Sequence, residues 1–249
     1  MSPDPACPRP FQARHIVFAS DGRRLAGLLY LPADEARGAL LVCHGAGSRK
    51  ENHAVMGEQA AAAGLASLVF DFRGHGESEG VMDVGGWHDV VAAGETLLRL
   101  SGAPWLGGRG SSMGGFLLLL AAAARSALFR SLVLLCPADP SSLLAGLDRL
   151  DQGLEPDPEV PSSGGRFDSA SLRPFLETVD LMAAARGMPR VLVAHARDDA
   201  SVPFAHSERL AGVLAPPARF IAVASGGHRA PARSPEVARA TIDWVLENA

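Results

Sequence analysis

An alcohol side chain attacks a carbonyl at neutral pH only with help. It needs a base to take its proton, a carboxylate to orient that base, and donors for the negative charge that forms on the carbonyl oxygen. The stretch Gly108-Arg-Gly-Ser-Ser-Met-Gly-Gly115 offers the alcohol. Within it, Gly110-Ser111-Ser112-Met113-Gly114 fits G-x-S-x-G. The short apolar segment Ala103-Pro-Trp-Leu106 precedes it and the run Phe116 to Ala124 follows, the strand-turn-helix context of a nucleophile elbow. Glycines allow a turn too tight for side chains, so Ser112 is expected to project at the top of a sheet. The helix starting beside it aims N–H groups and a positive dipole end at the same spot. Glycine and serine are common in loops, so the pattern is weak until partners are found.

In an elbow of this kind the chain order is serine, acid, histidine. His195, His206 and His228 follow Ser112. His206 falls in a helical stretch, and His195 precedes an acidic pair and reads as structural. His228 lies in Ser225-Gly-Gly-His-Arg-Ala-Pro231, a glycine loop able to carry its ring to the serine, and is the candidate base. The acid is sought in His195-Ala-Arg-Asp-Asp-Ala-Ser-Val-Pro203. Adjacent side chains point different ways, so Asp198 and Asp199 are rival candidates, with Asp139 as an outside one; a solvated acid or a helix N-cap is the plain alternative. One oxyanion donor is the N–H after the nucleophile, Met113. The second is expected from the loop after Cys43, at Ala46 of His44-Gly-Ala-Gly47. His44 is expected to brace that loop by a side-chain hydrogen bond.

These residues need a scaffold that gathers them. Strands are expected over Arg14–Ala19 and Leu25–Leu31, joined at Asp21-Gly22, then over Gly38–Cys43, Leu65–Phe70, Ser131–Cys136, Arg190–Ala194 and Arg219–Ala224. Helices are expected over Asn52–Ala63, Trp87–Leu100, Phe204–Leu214 and Pro235–Glu247. The alternation predicts an α/β fold: a mostly parallel central sheet flanked by helices on both faces, with its ligand beyond the carboxyl ends of the strands. The segment 137–187 breaks the rhythm with six prolines and no strand, and reads as a small cap insertion in a single domain spanning 1–249. Its middle, Asp148 to Arg166, is expected to be irregular. Its end, Ser171 to Ala185, places Leu172, Phe175, Leu176, Val179 and Met182 on one helical face.

Taken together, His44-Gly-Ala-Gly, Asp71-Phe-Arg-Gly-His-Gly-Glu-Ser78, Gly110-Ser-Ser-Met-Gly-Gly, Asp199-x-x-Val-Pro and Gly227-His228 resemble the α/β-hydrolase superfamily in kind and order. The branch is similar to small-capped esterases such as cinnamoyl and feruloyl esterases and serine-aminopeptidase-like lipases. The resemblance implies the triad Ser112, Asp199 and His228, favours Asp199 over Asp198, and makes Asp71 and His75 part of a structural loop. Ser111 stands where many relatives carry histidine. A carboxylic ester is the implied small-molecule substrate; a thioesterase, an amidase or peptidase, and an inactive binding module are the alternatives.

Composition bounds the rest. The chain of 249 residues is 47% hydrophobic and 20% charged, enough apolar material for a sizeable core. A net charge of -4 gives no electrostatic reason to expect nucleic acid or an anionic membrane as partner. Cys43 and Cys136 sit in apolar strands and read, with Cys7, as thiols rather than a disulfide or metal site. No His/Cys/Asp cluster has metal-ligand spacing, and neither metal nor cofactor is expected. The proline-rich first ten residues lack the apolar stretch of a signal peptide, and the longest apolar run is far short of a membrane span. A cytoplasmic location is the resulting expectation.

Overall fold

An apolar run without polar alternation needs a strand covered on both faces. Gly38–Cys43 (β3) and Leu65–Phe70 (β4) are such runs, and every residue in both is buried. The structure, a computed structural model, describes residues 11–155 and 164–249. The proline-rich first ten residues, Cys7 included, lie outside the described residues.

The chain opens with the antiparallel hairpin Phe11–Ser20 (β1) and Arg23–Pro32 (β2). Asp21 and Gly22 turn it at φ 47° and 75°, the doubly left-handed geometry a two-residue hairpin turn prefers. Four further strands follow β4: Leu106–Ser111 (β5), Ser131–Leu135 (β6), Val191–Ala196 (β7) and Ala218–Val223 (β8). Among the described residues one sheet forms in the order β1-β2-β4-β3-β5-β6-β7-β8, antiparallel at β1 and β2 and parallel from β4 onward. The helices are Ala54–Ala62 (α1), Gly86–Ser101 (α2), Met113–Ala124 (α3), Pro140–Asp151 (α4), Ser169–Thr178 (α5), Leu181–Ala185 (α6), Phe204–Val213 (α7), Ala230–Arg233 (α8) and Pro235–Glu247 (α9). Strand alternation divides the core. Ala39, Leu41 and Cys43 pack with α2 and α3, while Leu40 and Val42 pack with α1 and α9 on the opposite face. No helix among the described residues is long and apolar enough to cross a membrane.

Three differences from the sequence expectation have physical causes. The strand before the elbow is not Ala103–Leu106 but Leu106–Ser111, glycines included. A Cβ on Gly107 would meet Val245 of α9, and one on Gly108 would meet Leu118 of α3, so helix side chains fill the space the strand leaves empty. The helix expected over Ser171–Ala185 is broken between α5 and α6, where Asp180 accepts from the Ala183 N–H at 2.9 Å and starts a new helix. Helix α4, not foreseen, begins where Asp139 accepts from the Ser142 N–H at 3.0 Å with Pro140 in the first turn. It extends into the stretch expected to be irregular, of which residues 156–163 lie outside the described residues.

The chain just before α5 is tied down by main chain. Met82 donates to the Arg166 carbonyl at 2.7 Å, Arg166 donates to that of Gly74 at 2.9 Å, and Asp168 donates back to Met82 at 2.8 Å. The other partner of this seam, the Asp71 to Ser78 loop, is a buried ionic knot. Asp71 accepts from the Lys50 N–H at 2.7 Å, the Lys50 ammonium at 2.8 Å and the Glu77 N–H at 3.0 Å. These satisfied contacts give Asp71 the structural part the resemblance implied.

Candidate active site

Parallel strands deliver all their carboxyl ends to one edge of the sheet. β3 therefore ends in the His44–Gly47 loop, β5 in Ser112, β7 in the Asp198–Asp199 turn and β8 in the His228 loop, all on that edge. Ser112 sits at φ 52°, a left-handed conformation that side chains rarely adopt. The turn is held by the Ser112 N–H donating to Leu135 at 2.9 Å and by the Ala138 N–H donating to the Ser112 carbonyl at 3.1 Å. The flanking glycines are needed because the backbones touch. A Cβ on Gly110 would collide with the Gly114 carbonyl, and one on Gly114 with the carbonyl oxygens of Cys43 and His44. Met113 is the first residue of α3, where an N–H has no acceptor within its own helix.

The adjacent aspartates do different things. Asp199 Oδ1 accepts from the N–H groups of Ser201 and Val202 at 2.9 and 2.8 Å, and Oδ2 accepts from His228 Nδ1 at 2.7 Å. Burial by itself would raise the Asp199 pKa, but the hydrogen bonds from His195, His228 and the backbone outweigh it and hold the group well below the usual carboxylate range. With Nδ1 donating to a carboxylate, the neutral His228 ring carries its acceptor lone pair on Nε2. Asp198 instead accepts from the N–H groups of Gly226 and Gly227 at 2.9 and 3.0 Å, pinning the glycine loop that carries His228. Asp139, the outside candidate, is the N-cap of α4.

His195 has a part that sequence reasoning underrated. Its Nε2 lies 2.9 Å from Asp199 Oδ2 and 3.0 Å from the Val202 carbonyl, and its Nδ1 lies 2.7 Å from the Ser207 hydroxyl. Both Nε2 neighbours are acceptors, so Nε2 carries the proton and Ser207 donates to Nδ1. The available signal was a lone polar residue in an otherwise apolar, wholly buried strand, which must find a partner. Cys136, His195 and Asp199 also bring three atoms of metal-binding type within 4.8 Å of one another, a grouping their chain positions conceal. Both His195 nitrogens and both Asp199 oxygens are already used in the hydrogen bonds above, the wiring of a carboxylate–imidazole pair.

The loop after β3 behaves as expected of a brace. His44 Nδ1 donates to the Gly45 carbonyl at 2.8 Å while Nε2 accepts from the Phe72 N–H at 3.1 Å. Burial pushes its pKa down to about 4, so the ring is neutral at pH 7. His75 Nε2 accepts from the Gly47 N–H at 3.2 Å and holds the other end of the loop.

Two cavities of about 200 Å³ each meet at Ser112 and Ala46. The first runs beside α4 and α5 and is walled by apolar side chains, among them Met113, Phe116, Leu143, Phe167 and Leu176. The second contains His228 and is lined by polar side chains including Ser111, His53, Arg229 and Arg233. Thus Ser112 shares a wall with His228 on one side and with Met113 on the other, and Ala46 borders both.

Residues 34–144 match the family described as serine aminopeptidase, S33, a span that takes in Ala46, Ser112 and Met113 and stops short of Asp199 and His228. No curated protein has a significant sequence match to the chain. Among solved structures, Est1E from Butyrivibrio proteoclasticus with ferulic acid bound is similar at a TM-score of 0.76 and 22% identity, over 94% of this chain and 98% of that one. A putative hydrolase from Agrobacterium vitis S4 superposes at 0.71 with 22% identity, covering 96% and 99% of the two chains. The alpha/beta hydrolase domain-containing protein 10 from mouse does so at 0.69 with 21% identity, over 95% and 97%.

Proposed function

The chain has the α/β-hydrolase fold, and from that premise we propose that it is a serine hydrolase cleaving carboxylic esters through an acyl-enzyme on Ser112. One observation carries the reading: His228, hydrogen-bonded to the buried Asp199 at 2.7 Å, opens onto the same cavity as Ser112 in its strained turn. In this mechanism His228 Nε2 takes the Ser112 proton as Oγ bonds to the carbonyl carbon. Asp199 stabilises the imidazolium, and the N–H groups of Met113 and Ala46 receive the oxyanion. The proton then passes to the leaving oxygen, and water repeats the cycle to free the acid. His228 must face the leaving group, so the cavity without it, beside α4 and α5, takes the acyl part. Its apolar walls favour a modest aliphatic or aryl acyl group.

The family description raises a second reading, an aminopeptidase. Such an enzyme needs an unengaged carboxylate for the substrate ammonium. Among the described residues lining the two cavities the one carboxylate is Asp83, already paired with Arg23 at 2.8 Å and Arg73 at 2.6 Å. The ester reading is therefore preferred. It is tested with chromogenic esters of increasing chain length: Ser112→Ala should lower kcat by roughly 10⁴ to 10⁶-fold, and equal turnover by the two proteins would eliminate the proposal. A fluorophosphonate that labels neither protein would point instead to a binding module.

A further inference from the structure

The cavity beside His228 has a charge pattern at odds with the acidic balance of the whole chain. Arg229 is half-buried and Arg233 exposed, both line it, and neither makes an ion pair among the described residues. Among the described residues, no carboxylate lines it. Behind it, on the same sheet face as Ser111, lies Arg109, only 2% exposed, with Nε and Nη1 lacking any hydrogen-bond partner among the described residues. The Ser111 hydroxyl, on the cavity wall, is likewise buried and has no hydrogen-bond partner among the described residues. Burial is the main force holding the His53 ring neutral, and the charges of Arg109 and Arg229 add to it, so two guanidinium fields reach this space. Buried polar groups without partners are costly; an anion in the cavity would meet the Ser111 hydroxyl on its wall and lie within the field of the buried Arg109.

We propose that this second cavity is the leaving-group site and selects esters whose alcohol or thiol carries an oxyanion substituent, a carboxylate or a phosphate. The inference rests on the hydrolase reading, because the leaving group must lie where His228 can protonate it. Guanidinium groups suit both anions, whose oxygens match the paired N–H donors of an arginine. In the acylation step the Ser112 Oγ–carbon bond forms and the carbon–leaving-group bond breaks. The serine proton travels through His228 to the departing oxygen or sulfur, and the anionic substituent leaves unchanged in charge. The acyl group stays in the apolar cavity, so one substrate spans both.

The test compares kcat/KM for phenyl butanoate, 3-carboxyphenyl butanoate and 3-phosphonooxyphenyl butanoate. The anionic esters are expected to be preferred by about tenfold or more, the larger preference identifying the anion. Arg229→Ala/Arg233→Ala should bring the ratio toward one, Arg229→Lys/Arg233→Lys should retain part of it, and added salt should reduce it in the wild type. A wild-type ratio at or below one, or a ratio unmoved by the double alanine variant, overturns the inference while leaving hydrolysis intact. If no ester is turned over, the hydrolase reading fails by itself. Calorimetric binding of 3-hydroxybenzoate, 3-hydroxyphenyl phosphate and phenol to Ser112→Ala then decides the anion site without catalysis. Binding no tighter for the anions than for phenol refutes it.

Discussion

Asp198 and Asp199 are neighbours in the chain, yet one points at the His228 ring and the other at the backbone of the loop that carries it. The two substitutions should therefore fail differently. Asp199→Asn keeps the shape of the carboxylate but deprives the imidazole of its counter-charge and correct tautomer, and kcat should fall by about 10⁴-fold. Asp198→Ala leaves that pair in place and frees the glycine loop, a misplacement worth roughly 10- to 100-fold. It should also speed amide exchange at Gly226 and Gly227. Comparable losses in the two variants, with no change in exchange, would contradict this division. The local sequence left both aspartates eligible, because the direction of a loop side chain is set by what the loop touches. Resemblance to a family pattern favoured Asp199, and in the structure Asp199 is the one of the two whose carboxylate meets the His228 ring.

At the scale of elements, the elbow illustrates how a motif encodes packing. β5 and α3 are pressed so closely against the end of β3 that residue 114 has no room for a Cβ. Gly114→Ala should lower stability by about 1 to 3 kcal/mol, read from the urea midpoint. Gly212 in α7 faces open space, so Gly212→Ala is the matched control and should be neutral or stabilising by up to about 1 kcal/mol. Equal effects at the two positions would remove the packing account. The central strands β3 and β4 were legible to the residue, because an unbroken apolar run has few other uses. The glycine strand β5 was not. Its apolar contacts come from side chains on α3 and α9, which a local reading of the strand cannot see.

At the scale of the whole molecule, the site edge is underpinned by buried neutral histidines. Burial lowers the pKa of His44 to about 4 and that of His75 to about 3, and both rings are at most 1% exposed. The unfolded chain binds these protons near pH 6.5 while the native protein does not. Stability is therefore full above that pH and falls as pH drops below it. By pH 5 each ring should have cost about 2 kcal/mol. Asp199, with its depressed pKa, adds a further loss only below the ordinary carboxylate range of about 4. Urea midpoints at pH 7, 6 and 5 should fall steadily, and His75→Gln should flatten the slope. Identical midpoints at pH 7 and pH 5 would rule the histidines out.

Short-range rules reach a long way in this chain. Hydrophobic period, turn glycines and capping residues are properties of a few consecutive residues, so they set most strands and helices, the hairpin turn and the serine elbow before any folding is considered. Strand order, the break between α5 and α6 and the second part played by His195 were decided in three dimensions. So was the gathering of Arg229 and Arg233 onto the His228 side of Ser112, beside the buried Arg109. His228, Arg229 and Arg233 are neighbours in sequence, but Ser112 and Arg109 lie far from them along the polypeptide, and the meeting of the two groups depends on how separate strands line up at one edge of the sheet. No local pattern carries that information.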